Sequence, residues 1–418
     1  MANPRNAARY FSSAFSIAVA TIVAFPASAQ QISLTQIPLP VPGSRPLGIV
    51  TGPGSSYFFA ELQGNQIGRV LENGSLSAFA PPTPDSAPAY ITPGPDNAMW
   101  FTETTSNNIG RLDSDGIITE YPIPSSGNAG LWDIVAGPDG ALWFTEYYNQ
   151  KIGRLTDTGQ LTEYLVPTED AGPNSIVVGP DKALWFTEED GNNIGRITTA
   201  GVITEFPVAT DDADLLGIAL GSDGALWFAE HDGRAIGRIT TSGSVTEYPI
   251  LSHGAGSLTA AGPDGAIWFT EDDANRFGRI TTSGVMTEFT MPSPSTGPLG
   301  VIGGKDGNVW LTEVDGDAIA HVPACGIGLR ASYADTTLTL TFDVGTTSSA
   351  TFTTDLMTNS GQKQVFSKTI PAIVPPQPST LKLGPGFPYS GSVTVVSTLT
   401  DLNANLLCSE SQSLVIGN

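Results

Sequence analysis

A ten-residue pattern recurs seven times between residues 58 and 313, and its fullest copies, at 137–146 and 262–271, read Gly-Pro-Asp-Gly-Ala-(Leu/Ile)-Trp-Phe-Thr-Glu. Successive copies end in glutamates that stand 41 to 43 residues apart. These are Glu61, Glu103, Glu146, Glu188, Glu230, Glu271 and Glu313. A fixed period of this length indicates a repeat architecture, so every other pattern in the chain has to be consistent with it.

Each repeat resolves into four short strands, as the third copy illustrates. An apolar strand ends at Ala136, and the Gly-Pro-Asp-Gly at 137–140 has the composition of a turn. Further strands are expected over 141–146, 151–155 and 161–164. Four antiparallel strands in about 42 residues are typical of a propeller blade. The sequence therefore predicts an all-β, seven-bladed β-propeller.

The start of the chain is predicted to close the ring. Six repeats end in a fourth strand, but none follows Ile319–Val322 in the seventh repeat. A spare copy of that strand lies at Leu34–Pro38. We expect this N-terminal strand to complete blade seven and remove the exposed edges of an open sheet. The propeller would then span residues 30–322.

Charge restricts the partners of the chain. It has 41 acidic and 18 basic residues. Nucleic acids and anionic membranes bind clusters of Lys and Arg, so neither is an expected partner. A strongly acidic surface keeps a protein soluble and attracts cations. We expect a monomer that takes a small-molecule or peptide ligand.

The N-terminus has the pattern of an export signal. Arg5 and Arg9 supply a positive charge, and residues 11–25 are almost all apolar or small. An Ala-Ser-Ala cleavage site follows, so residues 1–29 are predicted to be a signal peptide cleaved after Ala29. A retained anchor is the alternative, but the apolar run is short for a membrane span. The mature chain, with no transmembrane segment, is expected in the periplasm or outside the cell.

The period stops before a C-terminal region over residues 323–418. Alternating runs such as 337–342, separated by Gly, Pro and Asn, predict a small β-sandwich-like domain of six or seven strands. The two cysteines, Cys325 and Cys408, both fall here. In an oxidising compartment we expect a disulfide between them, with two free buried thiols as the alternative.

Residues that recur in every blade are interpreted as structural. The repeat glutamates and the arginines of the Ile-Gly-Arg triplets are expected to form polar pairs within or between blades. His321 replaces the last of those arginines and is interpreted as a structural variation. Function is expected where the repeats differ, on the face that carries the loops into each first strand and after each second strand.

On that face, one position per blade is predicted to line the mouth of the central channel. The seven residues are Leu47, Ala89, Trp132, Asn174, Leu216, Ser257 and Leu299. The loops after the second strands make blade three aromatic and blades four to six acidic with one histidine. An aromatic wall opposite carboxylates suits an amphipathic or cationic ligand, or a hard cation. Ordinary solvated loop acids are the alternative. The predicted ligand-binding residues are Trp132, Tyr147, Tyr148, Asn174 and Ser257.

The repeat, with Leu-Trp-Phe-Thr-Glu, Asn-x-Ile-Gly-Arg-Ile-Thr-Thr and Ile-Thr-Glu-Phe-Pro, resembles the streptogramin B lyase (virginiamycin B lyase) family over residues 33–322. The resemblance implies a lyase that opens the ester of a cyclic depsipeptide antibiotic by elimination. A histidine base would remove the proton α to the ester carbonyl while Mg²⁺ stabilises the enolate.

The active-site positions implied by this resemblance are altered here. The two histidines correspond to Ser257 and Leu299, and the two glutamates that bind the metal correspond to Gly297 and Val314. Leucine cannot accept a proton, and Gly and Val offer no side-chain ligand. The mechanism therefore does not transfer residue by residue, and the active site is predicted to be degenerate or displaced.

A displaced site has two candidate bases, His253 and His231. Glu189, Asp232 and Asp272 are the candidate ligands for Mg²⁺. The alternative for each histidine is an ordinary surface-loop position.

Three functions remain open from the sequence. The first is a lyase of the kind described. The second is a non-catalytic propeller of the cell envelope that binds a ligand or protein, which the appended domain favours. The third is a lactonase-like hydrolase, which needs several acids or Asn at the axis, where only Asn174 is found. The fold alone does not decide between them.

Overall fold

The computed structural model describes residues 34–124, 127–250, 252, 256 and 258–323, and the strands of the C-terminal region. Regular structure in these ranges is β-strand throughout. None of the described residues belongs to a helix with the length and apolar character needed to cross a membrane.

Six four-stranded antiparallel sheets follow one another along the chain as blades one to six, each with its strands in sequence order. Strands are numbered in chain order. Blades one to three comprise β2 (Pro46–Thr51), β3 (Ser56–Glu61), β4 (Gln66–Leu71), β5 (Leu76–Phe79), β6 (Pro88–Pro93), β7 (Met99–Glu103), β8 (Asn108–Leu112), β9 (Ile118–Pro122), β10 (Leu131–Ala136), β11 (Leu142–Glu146), β12 (Lys151–Leu155) and β13 (Leu161–Leu165). Blades four to six comprise β14 (Pro173–Val178), β15 (Leu184–Glu188), β16 (Asn193–Ile197), β17 (Ile203–Pro207), β18 (Leu215–Leu220), β19 (Leu226–Glu230), β20 (Ala235–Ile239), β21 (Val245–Pro249), β22 (Leu258–Ala261), β23 (Ile267–Glu271), β24 (Arg276–Ile280) and β25 (Met286–Thr290).

Blade seven is built from both ends of the repeat region. Its strands are β26 (Pro298–Gly303), β27 (Asn308–Glu313), β28 (Ala318–Pro323) and, as the outermost strand, β1 (Thr35–Pro38). β1 runs antiparallel to β28. The predictions of seven blades and of closure by the N-terminal strand are both confirmed.

The C-terminal region forms two antiparallel sheets. One contains β29 (Cys325–Ala334), β30 (Thr337–Thr346) and β33 (Gln377–Leu383). The other contains β31 (Ala350–Thr358), β32 (Gly361–Ile370), β34 (Gly391–Asp401) and β35 (Leu406–Ile416). Seven strands in two sheets agree with the predicted sandwich-like class. Cys325 and Cys408 lie on strands of different sheets, and their disulfide stays a prediction.

The blades are joined by apolar side chains of their second strands. Trp143 is fully buried and stacks on Tyr164 of the fourth strand with 5.6 Å between ring centroids. Its indole Nε1 donates to Asp139 Oδ1, and Arg154 Nε donates to Asp139 Oδ2 at 2.7 Å. The same Asp–Trp–Arg arrangement is present in blades two to six. The repeat arginines of blades two to six therefore pair with turn aspartates within their own blade, whereas Arg69 of blade one donates to Ser77 Oγ.

The repeat glutamates have a different environment. In blades two to six the glutamate that ends the second strand is buried beside the glutamate of the fourth strand, 17 residues further along. Burial and, after it, the charge of the neighbouring glutamate raise the pKa of Glu188 and Glu230 to about 7 and that of Glu271 to about 8. Each pair is therefore stable when one proton is bound near neutral pH.

These pairs predict a stability that falls as the pH rises. A raised pKa in the folded state means that the stabilisation is complete below the ordinary value of 4.5 and is lost as the pH rises through about 7 to 8. We expect Tm to fall by roughly 5 °C or more between pH 5 and pH 8, since one pKa unit corresponds to about 1.4 kcal/mol. Calorimetry across this range measures the slope.

Matched variants separate this effect from general charge repulsion. Glu230→Gln removes one titrating group and should flatten the slope, whereas Asp115→Asn removes an exposed acid and should leave it unchanged. Below about pH 4 the trend reverses, because hydrogen bonds from Trp143 and Arg154 outweigh burial and lower the pKa of Asp139. A Tm that rises from pH 5 to pH 8 would contradict the proposed pairing.

Candidate functional site

A β-bulge in the first strand of blade three places two consecutive residues, Trp132 and Asp133, at the central channel. In β10 the register shifts between Leu131 and Ile134, so that Trp132 and Asp133 together face Thr145 of β11. The same shift occurs in β2, β6, β14, β18 and β26. A bulge adds a residue to one strand and redirects its side chains. The sequence predicted one channel residue per blade and did not reveal the second.

A threonine of the second strand holds this bulge. Thr145 Oγ1 accepts a hydrogen bond from the backbone N–H of Asp133 at 3.0 Å and donates to the backbone oxygen of Asn174 in the next blade at 2.7 Å. We call this contact to the next blade a threonine bridge. The described bridges are donated by Thr102, Thr145, Thr187, Thr270 and Thr312.

Four of the five predicted ligand-binding residues meet in one cavity over blades three and four. This blade-three pocket has a volume of about 450 Å³. It is lined by Thr104, Asn128, Gly130, Trp132, Tyr147, Tyr148, Asn174 and Glu189. The structure thus brings the predicted aromatic residues together with Glu189, which was predicted as a metal ligand. Ser257 and His253 lie outside the described residues.

Glu189 is the charged group of this pocket, and its neighbours fix its position. Asn174 Nδ2 donates to Glu189 Oε2 at 2.5 Å, and the Tyr147 hydroxyl lies 3.2 Å from Glu189 Oε1 and 2.7 Å from Asp190 Oδ2. Burial raises the pKa of Glu189, and the negative charge of Asp214 raises it further. Among the described residues, no Lys or Arg forms an ion pair with Glu189. The described lining of the pocket therefore carries the negative charge of Glu189 and no basic side chain.

Aromatic rings form the opposite side of the pocket. Tyr147 and Tyr148 meet edge to face with 5.2 Å between ring centroids. Trp132 lies against Tyr90 of the preceding blade at 5.6 Å. Tyr148 is 66% exposed and stands at the rim. The aromatic wall predicted for blade three is therefore a preformed surface with one open side.

The pocket lies beside the central channel. A second cavity of about 270 Å³ lies there, and Trp132 and Asn174 line both cavities. Asp133 also lines the channel. Its Oδ2 accepts hydrogen bonds from Ser175 Oγ and from the Ile176 backbone N–H of blade four, at 2.7 and 2.9 Å. Burial raises the pKa of Asp133 to about 6, against these hydrogen bonds. Sequence reasoning missed Asp133 because only the bulge brings it into the channel.

A histidine and two acids meet on blade five. The ligating atoms of Asp214, His231 and Asp232 all lie within 4.8 Å of one another. His231 Nε2 is also 3.6 Å from Asp273 Oδ2. The predicted partners His231 and Asp232 are thus together, but the third member is Asp214. Its backbone has a φ of 54°, a loop conformation that the sequence did not indicate.

Two places could hold a metal: the blade-five group and the positions implied by the resemblance. Neither of them fits Mg²⁺. Imidazole beside two carboxylates suits Zn²⁺ and other transition metals, whereas Mg²⁺ prefers an octahedron of oxygen ligands. Glu189 and Asp272 are not members of the blade-five group. At the positions implied by the resemblance, Val314 is buried in an apolar cluster with Leu47 and Ala89, against which Leu299 packs. The side chains of Leu299 and Val314 and the backbone of Gly297 therefore offer no carboxylate or imidazole ligand at these positions.

Comparisons with known proteins agree with this architecture. The family model described as the Virginiamycin B lyase family matches residues 26–214 and 126–328. No curated protein matches the chain. A streptogramin B lyase structure is 38% identical, with 69% of this chain and 97% of that chain covered and a TM-score of 0.67.

Two further solved structures come from Staphylococcus aureus. Virginiamycin B lyase with selenomethionine is 36% identical, with 70% of this chain and 100% of that chain covered. A catalytically inactive histidine-to-alanine form with quinupristin is 35% identical with the same coverage, and both structures have a TM-score of 0.67. The chain belongs to the virginiamycin B lyase family.

Proposed function

We propose that this chain is an exported, ligand-binding member of its family that holds an amphipathic cation in the blade-three pocket. The observation that carries the proposal is the assembly of Trp132, Tyr147 and Tyr148 around the half-buried carboxylate of Glu189. A carboxylate without a cationic neighbour, facing aromatic rings, is the arrangement that a ligand ammonium group complements.

The energetics of such a site favour a cation over a neutral ligand. A cation over an aromatic ring gains about 0.5–2 kcal/mol, and more as water is excluded. The net charge of −23 attracts cations to the surface. Asn174 and Tyr147 hold Glu189 in place before a ligand arrives, so little side-chain ordering opposes binding.

The altered family positions support binding without the family's own catalytic groups. Leu299 cannot act as a base, and Val314 packs in an apolar cluster. The inactive S. aureus structure contains quinupristin, so in that protein loss of a histidine is compatible with a bound ligand. A related chain that binds without turnover is consistent with that observation.

Binding is tested with benzyltrimethylammonium as a probe in titration calorimetry. We expect the mature protein to bind it, with Trp132→Ala weakening binding by about 3- to 30-fold through loss of the cation–π contact. Glu189→Gln keeps the shape of the side chain and removes its charge, and it should weaken binding by about tenfold or more.

The control for that titration is Asp115→Asn, which removes an exposed acid from a turn on the opposite face. It should bind the probe as the unmodified protein does. No measurable binding, or equal weakening by Asp115→Asn and Glu189→Gln, would exclude the pocket as the site.

A second candidate is a lyase that uses blade five, and the group of Asp214, His231 and Asp232 favours it. By repeat position, Asp214 and His231 correspond to Gly297 and Val314 of blade seven. His231 would then be the base that accepts the α-proton of a cyclic ester, with the neighbouring carboxylates orienting its ring. Of the described histidines, it is the one that lies on the ligand face.

This candidate is tested by incubating the mature protein with quinupristin and following ring opening by mass spectrometry, with Mg²⁺, Zn²⁺ or EDTA added. A lyase gives a linear product, and His231→Ala should reduce its rate by at least about 100-fold. The matched control His321→Ala changes a histidine of the outer strands. No product above the no-protein sample would exclude the lyase and leave the binding function standing.

Export and oligomeric state form part of the same proposal. The sequence pattern of residues 1–29 supports secretion, and the mature protein should begin at Gln30 when it is recovered from the periplasm or the medium. N-terminal sequencing checks the first claim. Light scattering checks that the protein is a monomer, and retention of residues 1–29 would contradict the predicted processing.

A further inference from the structure

The blade-three pocket and the channel cavity are adjacent and share part of their wall. Trp132 and Asn174 line both, so a molecule seated at Glu189 has the channel mouth beside it. The pocket offers a carboxylate and aromatic rings. The channel offers a different surface, and a ligand that fits the whole space must have two different ends.

The channel wall is aliphatic. Its side chains include Ile49, Ile91, Val177, Leu216, Ile218 and Val301. Among the described residues, Asp133 is the one charged side chain that lines this cavity. Both of its oxygens accept hydrogen bonds from the surrounding wall, from Ile134 and from the next blade. The protein therefore supplies hydrogen-bond partners for both oxygens of this carboxylate.

Such a channel is a poor host for water. A cavity of about 270 Å³ has room for about nine water molecules at ~30 Å³ each. Each water needs two to four polar partners, and aliphatic side chains supply none. Replacing poorly held water by an apolar group increases affinity. At about 270 Å³ the cavity is smaller than the usual site for a drug-sized molecule, whereas a flexible alkyl chain fits a space of this volume.

Taking the proposed binding function as its basis, we infer that the ligand is a cationic amphiphile with an unbranched alkyl or acyl chain. Its ammonium group lies at Glu189 between the aromatic rings, and its chain passes Trp132 into the channel. The two parts contribute separately, because the charged contact and the apolar contact involve different residues. Chain length is then the property by which this protein selects its ligand.

The test is a series of n-alkyltrimethylammonium ions from methyl to decyl, titrated below their micelle-forming concentrations. Each buried methylene should tighten binding by up to about fourfold until the channel is filled, after which affinity levels off. Glu189→Gln should weaken every member of the series by a similar factor, because it acts on the head group alone.

A plug variant tests the path of the chain. Leu216→Trp places at the channel mouth the residue that blade three carries at the equivalent position, Trp132. It should abolish the gain from longer chains and leave tetramethylammonium binding unchanged. Val202→Trp adds the same side chain at an exposed position and should alter neither. Equal melting temperatures of the variants confirm that they are folded.

The outcomes separate this inference from the proposed function. If tetramethylammonium and benzyltrimethylammonium both fail to bind, the pocket function itself is wrong. If both bind and affinity does not depend on chain length, the pocket function stands and the channel inference is overturned. A chain-length dependence that survives Leu216→Trp would also overturn it, because the chain would then lie elsewhere.

Discussion

A threonine hydroxyl that joins one blade to the next is the contact on which both the ring and the site depend. Thr145 accepts from the bulged strand of its own blade and donates to the inner strand of the next. The first bond holds the bulge, and the second sets the distance to the following blade. Because the same atom makes both, the side chains at the channel mouth are positioned by the ring itself. Trp132 and Asn174, on either side of that atom, therefore need no flexible loop to hold them.

The sequence predicted the blades and their closure because each blade is one local meander with a regular period. It placed Trp132, Tyr147 and Tyr148 correctly on one face for the same reason. It missed Asp133 and Asp214 for a physical reason: their positions depend on a register shift and on a left-handed loop conformation, and neither leaves a composition signal. It also left the polar pairs unassigned. The arginine partners are turn aspartates 15 residues earlier, a contact that only the folded hairpin brings about.

The positions that the resemblance assigns to the active site and the polar side chains of this chain lie on different blades of the ring. A sevenfold scaffold offers seven nearly equivalent positions for every loop residue, so a group lost from one blade has counterparts on the others. Here blade seven holds Gly297 and Val314 where blade five holds Asp214 and His231. Blade three adds aromatic rings at its own versions of these positions. The blade-three pocket and the group of Asp214, His231 and Asp232 thus lie over blades three to five, while Leu47, Leu299 and Val314 form an apolar part of the mouth on blades one and seven.

The threonine bridges also divide the ring. Ala60 and Ala229 stand where blades one and five would carry the bridging threonine. The bridges therefore run unbroken from blade two to blade five, and again from blade six through blade seven to blade one. The bridges thus divide the propeller into two arcs, blades two to five and blades six, seven and one. The two boundaries between these arcs lack the hydroxyl contact. The whole blade-three pocket belongs to the longer arc, so every boundary between the blades that line it carries a threonine bridge.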